Sequence, residues 1–108
     1  MTTALEKVRR LEQYIAVNSA AVDPVLDVTL DKLLARETAR MLDLKARLAN
    51  ELANFEKRYA MKSAEFYARY ENGEMGDEMD FVEWSATVEM LANVDKQLAL
   101  LERETAGV

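Results

Sequence analysis

Between Pro24 and Gly73 the chain contains neither proline nor glycine. Proline breaks a helix by removing an N–H donor, and glycine weakens one through backbone entropy, so the strongest local interrupters are missing from this interval. Elsewhere only Gly76 and Gly107 remain. Such a chain has few places to turn. It is filled with Ala, Leu, Glu, Lys, Arg and Met, which all favour helix. An all-α fold follows.

The apolar spacing inside the interval says what kind of helix this is. Leu26, Leu30, Leu33, Met41, Leu44, Leu48, Leu52, Phe55 and Tyr59 recur in steps of four, three and four, with Glu37 in the one polar slot. This eleven-residue period, about 3.67 residues per turn, lies close to that of a straight helix and drifts slightly right-handed. Asp23 followed by Pro24 is a strong start signal, because Asp caps free amides and Pro at the first position gives up an N–H that was unpaired anyway. The spacing therefore predicts a helix over 24–59, ~54 Å long at about 1.5 Å per residue.

A shorter helix is predicted over 3–17, capped by Thr3, with Ala4, Val8, Leu11 and Ile15 on its apolar face. A third is predicted over 64–71 with Ser63 as its N-cap, then a turn at Gly73 and Gly76. The last is predicted over 80–104, capped by Asp77 or Asp80, with a seam of Phe81, Trp84, Val88, Leu91, Val94, Leu98 and Leu101. Residues 104–108 are expected to fray. The reading is one helical domain over 1–108: a long antiparallel, coiled-coil-like hairpin with a short N-terminal helix and a small helical corner. Two long helices and two short ones bury little surface. A stripe on the long helix at Leu33, Met41, Leu44 and Leu48 is expected to be closed by a homodimer partner or by another protein.

Charge divides the chain. Residues 1–70 carry a net +2 and residues 71–108 a net −8, with only Lys96 and Arg103 as cations in the second part. Phosphates are repelled by such a surface, which argues against nucleic-acid binding and points to a basic protein partner. Solubility alone is the competing explanation for an acidic chain. No apolar run approaches the ~20 residues that span a bilayer, and no signal-peptide pattern opens the chain. A cytoplasmic protein is expected.

Catalytic chemistry finds little to work with. Without His or Cys, the usual general base, the thiolate nucleophile and most transition-metal ligands are missing. The acidic loop does not fit an EF-hand either. Gly76 at the sixth position puts Gly73 at the third and Val82 at the twelfth, and Gly73 at the sixth starts the loop at Ala68. Neither an enzyme, a metal site nor a cofactor is expected.

Three features remain. Glu37 interrupts the apolar seam and is expected to pair with Arg36 or Arg40. The stretch EFYARYENGEMGDEMDFVEW, residues 65–84, holds five of the eight aromatic residues and two of the three glycines. Phe66, Phe81 and Trp84 are expected to plug the open end of the hairpin, whereas the hydroxyls of Tyr67 and Tyr70 suit a surface. The same stretch carries Glu71, Glu74, Asp77, Glu78, Asp80 and Glu83. Carboxylates at a helix start are stabilised by its dipole, which accounts for Asp77, Glu78 and Asp80 but not for Glu71 and Glu74. A solvated loop is one reading. The other is a contact surface for a cationic protein formed by Tyr67, Tyr70, Glu74, Asp77, Glu78 and Asp80.

The segments LEKVRRLEQYI, DPVLDVTLDKLL and FYARYENGEMGDEMDFVEWSA, the last followed by a leucine-rich helix, resemble, over most of the chain, a group of small acidic helical antitoxin-like proteins of prokaryotes found beside small toxin genes. The resemblance implies a non-catalytic inhibitor that binds and neutralises a co-encoded basic toxin, often a nuclease. The chain departs from many antitoxins in having no ribbon-helix-helix strand and no recognition helix with a basic face. That places regulation of its own operon in doubt. The alternative is a self-associating helical adaptor with no inhibitory role.

Overall fold

The computed structural model of the chain describes residues 1–17 and 23–103. They form four helices: α1 (Ala4–Val17), α2 (Pro24–Tyr59), α3 (Ser63–Glu71) and α4 (Met79–Glu102). No strand occurs among the described residues, and no helix among them is long and apolar enough to cross a membrane. The expected fraying of 104–108 lies outside them. The chain divides into two compact units, Met1–Leu34 and Ala35–Val108, with the boundary inside α2.

In the first unit, local caps set both helix starts. Thr3 Oγ1 accepts the Glu6 N–H at 3.1 Å, and Glu6 Oε2 accepts the Thr3 N–H at 3.4 Å. This is a reciprocal capping box. Asp23 Oδ1 accepts the Val25 N–H at 3.0 Å, with Pro24 as the first helical residue. No described residue of this unit is buried. Leu11, Ile15, Leu26 and Leu30 are half-buried, while Val8 and Leu33 stay exposed.

The second unit is built on an antiparallel hairpin of α2 and α4. Lys45 pairs with Asp95 at 2.9 Å, Phe55 stacks on Trp84 at 5.5 Å, and Tyr59 meets Phe81 at 5.2 Å. Residue numbers rise on α2 as they fall on α4, which fixes the antiparallel register. Midway, Leu48, Val94 and Leu98 form a buried cluster with Met41, Leu44 and Leu91 against it. Each fully buried aliphatic side chain there contributes about 1.5–3 kcal/mol.

The structure places three of the four residues of the expected self-association stripe inside this intramolecular packing: Met41, Leu44 and Leu48 meet the residues of α4. The fourth, Leu33, is 49% exposed in the other unit. Glu37 sits against both neighbouring arginines, at 3.1 Å from Arg40 and 3.7 Å from Arg36.

α2 ends on Ala60, whose φ of +52° lies in the left-handed region, and the Met61 N–H reaches back to the Glu56 carbonyl at 3.3 Å. An L-residue held there costs about 1–2 kcal/mol. The next helix end is better supplied. Gly73, at φ +76°, gives its N–H to the Tyr70 carbonyl at 3.0 Å, and Glu74 gives its own to Arg69 at 2.9 Å. This pair of bonds is a Schellman motif, and glycine carries no Cβ to clash there.

Candidate functional site

The acidic turn rests on an aromatic corner, and the corner explains why the turn holds its place. Trp84 and Phe66 have no exposed surface and stack at 3.9 Å with ring planes 3° apart. Phe55 and Tyr59 from α2 also stack on Trp84, and Phe81 tilts against both Phe66 and Tyr59. The expected plug of Phe66, Phe81 and Trp84 is therefore completed from α2. Such ring pairs are worth about 0.5–1.5 kcal/mol beyond their area.

Ser63 differs from its expected role. It is not the N-cap of α3, whose cap position is taken by Lys62 with extended backbone and no side-chain bond. Ser63 is the first helical residue and is buried. Its N–H donates to Glu56 Oε2 at 2.8 Å, and its Oγ accepts the Trp84 indole N–H at 3.0 Å. A carboxylate from α2 thus does the capping that a local hydroxyl was expected to do. The Ser63 amide and hydroxyl hold the Glu56 carboxyl below the usual carboxylate range. This thread ties α2, α3 and α4 together through polar groups that are satisfied, as groups shielded from water must be.

The last helix also departs from expectation at its start. Neither Asp77 nor Asp80 caps it. Glu78 occupies the cap position with no side-chain bond, its carbonyl accepting the N–H groups of Phe81 and Val82 at 2.9 and 3.0 Å. Asp80 sits in the first turn, where the dipole favours it. It turns inward to Tyr59, whose hydroxyl donates to Oδ2 at 2.5 Å, and to Arg58 at 2.8 Å. Those two bonds hold its carboxyl below the usual range.

The six expected contact residues therefore separate into two groups. Asp80 is committed to α2. The Tyr67 hydroxyl donates to Glu89 Oε1 at 2.9 Å, and Tyr70 is half-buried against Phe66 at 5.5 Å. Both tyrosines pack partly against the corner, with the Tyr67 hydroxyl bonded to Glu89 and the Tyr70 hydroxyl without a hydrogen-bond partner among the described residues. Glu74, Asp77 and Glu78 are exposed. Among the described residues no cation pairs with any of the three, nor with the exposed Glu83 in the second turn of α4. Met75, half-buried in the aromatic cluster, pins the turn between them, and Gly76 at φ +80° completes the bend. The carboxylates splay outward, and no group of three acidic side chains among the described residues converges to hold a metal ion.

Sequence reasoning missed Glu56, Arg58, Tyr59 and Glu89 as partners of the corner. Tyr59 closes the eleven-residue seam and so carried a signal of burial. The three charged residues carried none, because their partners lie on other helices.

The Glu89 carboxylate, then burial, then Glu71 push the Tyr67 phenol from its ordinary 10.0 up to about 12. A group whose pKa is raised on folding stabilises the fold fully below its unfolded value and loses that contribution as pH rises through the folded value. The stability advantage of the wild type over Tyr67→Phe should therefore be constant at neutral pH and shrink between pH 10 and about 12. Urea unfolding of both proteins across that range checks it, and an advantage that grows with pH would overturn it.

The chain matches no known protein family, and no curated protein or solved structure is similar to it.

Proposed function

We propose that this chain is a non-catalytic protein-binding module whose acidic turn and the start of α4 grip a basic protein surface. The observation that carries the reading is the set of exposed carboxylates Glu74, Asp77 and Glu78, which pair with no cation among the described residues, on a turn fixed by Met75 and the Gly73 motif. Like charges held close together on a rigid turn repel one another, and a cationic surface relieves that repulsion while speeding encounter. With the resemblance to antitoxin-like proteins, the reading becomes an inhibitor of a co-encoded toxin in the cytoplasm. An RNA-cutting toxin, which needs a basic groove for phosphates, suits the charge best.

The test uses the product of the neighbouring gene, co-expressed and co-purified with this chain. Reversing Glu74, Asp77 and Glu78 to Lys together should weaken the complex roughly 100-fold and flatten its salt dependence, at about 1.4 kcal/mol per tenfold. Helicity should fall only slightly: among the described residues none of the three side chains makes a hydrogen bond or salt bridge, and the cost is confined to the dipole at the exposed start of α4, where Asp77 and Glu78 stand. Asp80→Lys is a poorer probe, because it would set a second cation beside Arg58 and disturb the corner itself. No complex with that product, or an affinity untouched by the triple reversal, would count against the reading.

A second reading, a self-associating adaptor, is favoured by the first unit. Leu5, Val8, Val17, Val25 and Val28 are exposed there, and no described residue of the unit is buried. Apolar surface of this kind marks an interaction site.

A further inference from the structure

α4 is apolar on two faces. Its inner seam packs on α2 and α3, yet Met79 (70% exposed), Val82 (42%), Met90 (53%) and Leu100 (66%) lie outside it. An exposed helix normally sets one polar face to water, and a helix that is apolar all round is normally buried. The outward residues are not scattered. Val82, Ala86, Met90, Asn93, Gln97 and Leu100 follow each other at steps of four, four, three, four and three, one continuous stripe on a helix that is apolar and exposed at Val82, Met90 and Leu100, half-buried at Ala86 and polar at Asn93 and Gln97. From Val82 to Leu100 it runs ~27 Å at about 1.5 Å per residue. Two shallow grooves flank it along α2, one of about 490 Å³ at Phe55, Ala86 and Met90, and one of about 320 Å³ at Met41, Gln97 and Leu100.

The stripe is complementary to itself when reversed. Set antiparallel about a two-fold axis passing between Met90 and Asn93, Val82 meets Leu100 of a second copy, Ala86 meets Gln97, and Met90 meets Asn93. Each pairing sets a larger side chain against a smaller one or an apolar one against another. A two-fold of this kind brings the same edge of the stripe together from both copies. On one edge stand Glu89 and Lys96, seven residues apart, so Glu89 of each copy faces Lys96 of the other, twice over. Lys96 has no salt-bridge partner among the described residues. Tyr67 occupies only Oε1 of Glu89. Residues 71–108 carry only two cations, so a matched Glu–Lys pair on one edge is not what a merely acidic helix would present.

We infer that the outer stripe of α4 is a homodimer interface, in which two hairpins join α4 to α4 antiparallel. This surface differs from the Leu33, Met41, Leu44 and Leu48 stripe, and it does not depend on what the acidic turn binds. The dimer holds two acidic turns at opposite ends of the paired helices.

Light scattering on the purified full chain tests the inference. The wild type should have twice the 12.3 kDa mass of one chain. Met90→Lys should give the single-chain mass with unchanged far-UV circular dichroism, since Met90 lies outside the core. Lys96→Glu should weaken the dimer about tenfold, and Glu89→Lys combined with Lys96→Glu should restore it, because the exchanged pair is again complementary. A wild-type monomer would overturn the inference and leave the stripe to a different protein. A dimer that survives both Met90→Lys and Lys96→Glu would place self-association on another surface. The triple reversal of Glu74, Asp77 and Glu78 should leave the mass unchanged, so failure of this interface and failure of the proposed function are separable.

Discussion

Trp84→Ala should cost about 3–5 kcal/mol, the range for removing a large buried aromatic side chain. Small domains have only about 5–15 kcal/mol in total. The indole is wholly buried, stacks on Phe66, Phe55 and Tyr59, and donates to Ser63. Its removal empties the point where α2, α3 and α4 meet. The acidic turn should then lose its base, because Met75 and Tyr70 pack into the same cluster. Trp84→Phe separates the two contributions. It keeps a ring against Phe66 but gives up the indole N–H, and Ser63 still bonds Glu56, so a loss nearer 1–2 kcal/mol is expected. Urea unfolding followed by far-UV circular dichroism measures both. A loss below about 1 kcal/mol for Trp84→Ala would mean that the corner unfolds separately from the hairpin.

Leu48→Ala should cost about 2–5 kcal/mol. Leu48 is 4% exposed and packs with Val94 and Leu98, so the lost contacts lie within one chain. The size of the loss should accordingly be the same at low and high protein concentration. That comparison bears directly on how the α2 stripe is used. If Leu48 closed a homodimer, its removal would abolish the concentration dependence of the unfolding midpoint. In the arrangement inferred from α4, Met90→Lys abolishes it and Leu48→Ala leaves it in place.

The helices and their starts were legible wherever the determining groups are neighbours in sequence. Thr3 with Glu6, Asp23 with Pro24, and the Gly73 termination each involve residues within a few positions, and their geometry follows from backbone chemistry alone. The apolar periods of α2 and α4 determined which faces would meet, because a helix repeats its faces by geometry. The placement of the acidic turn between two helices was legible for the same reason.

Tertiary structure decided which polar groups were spoken for. Ser63 as a local cap and Asp77 or Asp80 as a helix start were reasonable expectations from spacing. However, Glu56 lies 7 residues from Ser63, Tyr59 lies 21 from Asp80, and Glu89 lies 22 from Tyr67. A hydroxyl or carboxylate takes the best partner within reach, and packing three helices at one corner brings in partners that no local pattern encodes. The same packing turned Met41, Leu44 and Leu48 inward and left Met90 and Leu100 outside. Sequence by itself determined the helices, their apolar faces and the site of the charged turn. Only the packing of α2, α3 and α4 determined which of those faces and charges remain free, because that depends on contacts between residues far apart in the chain.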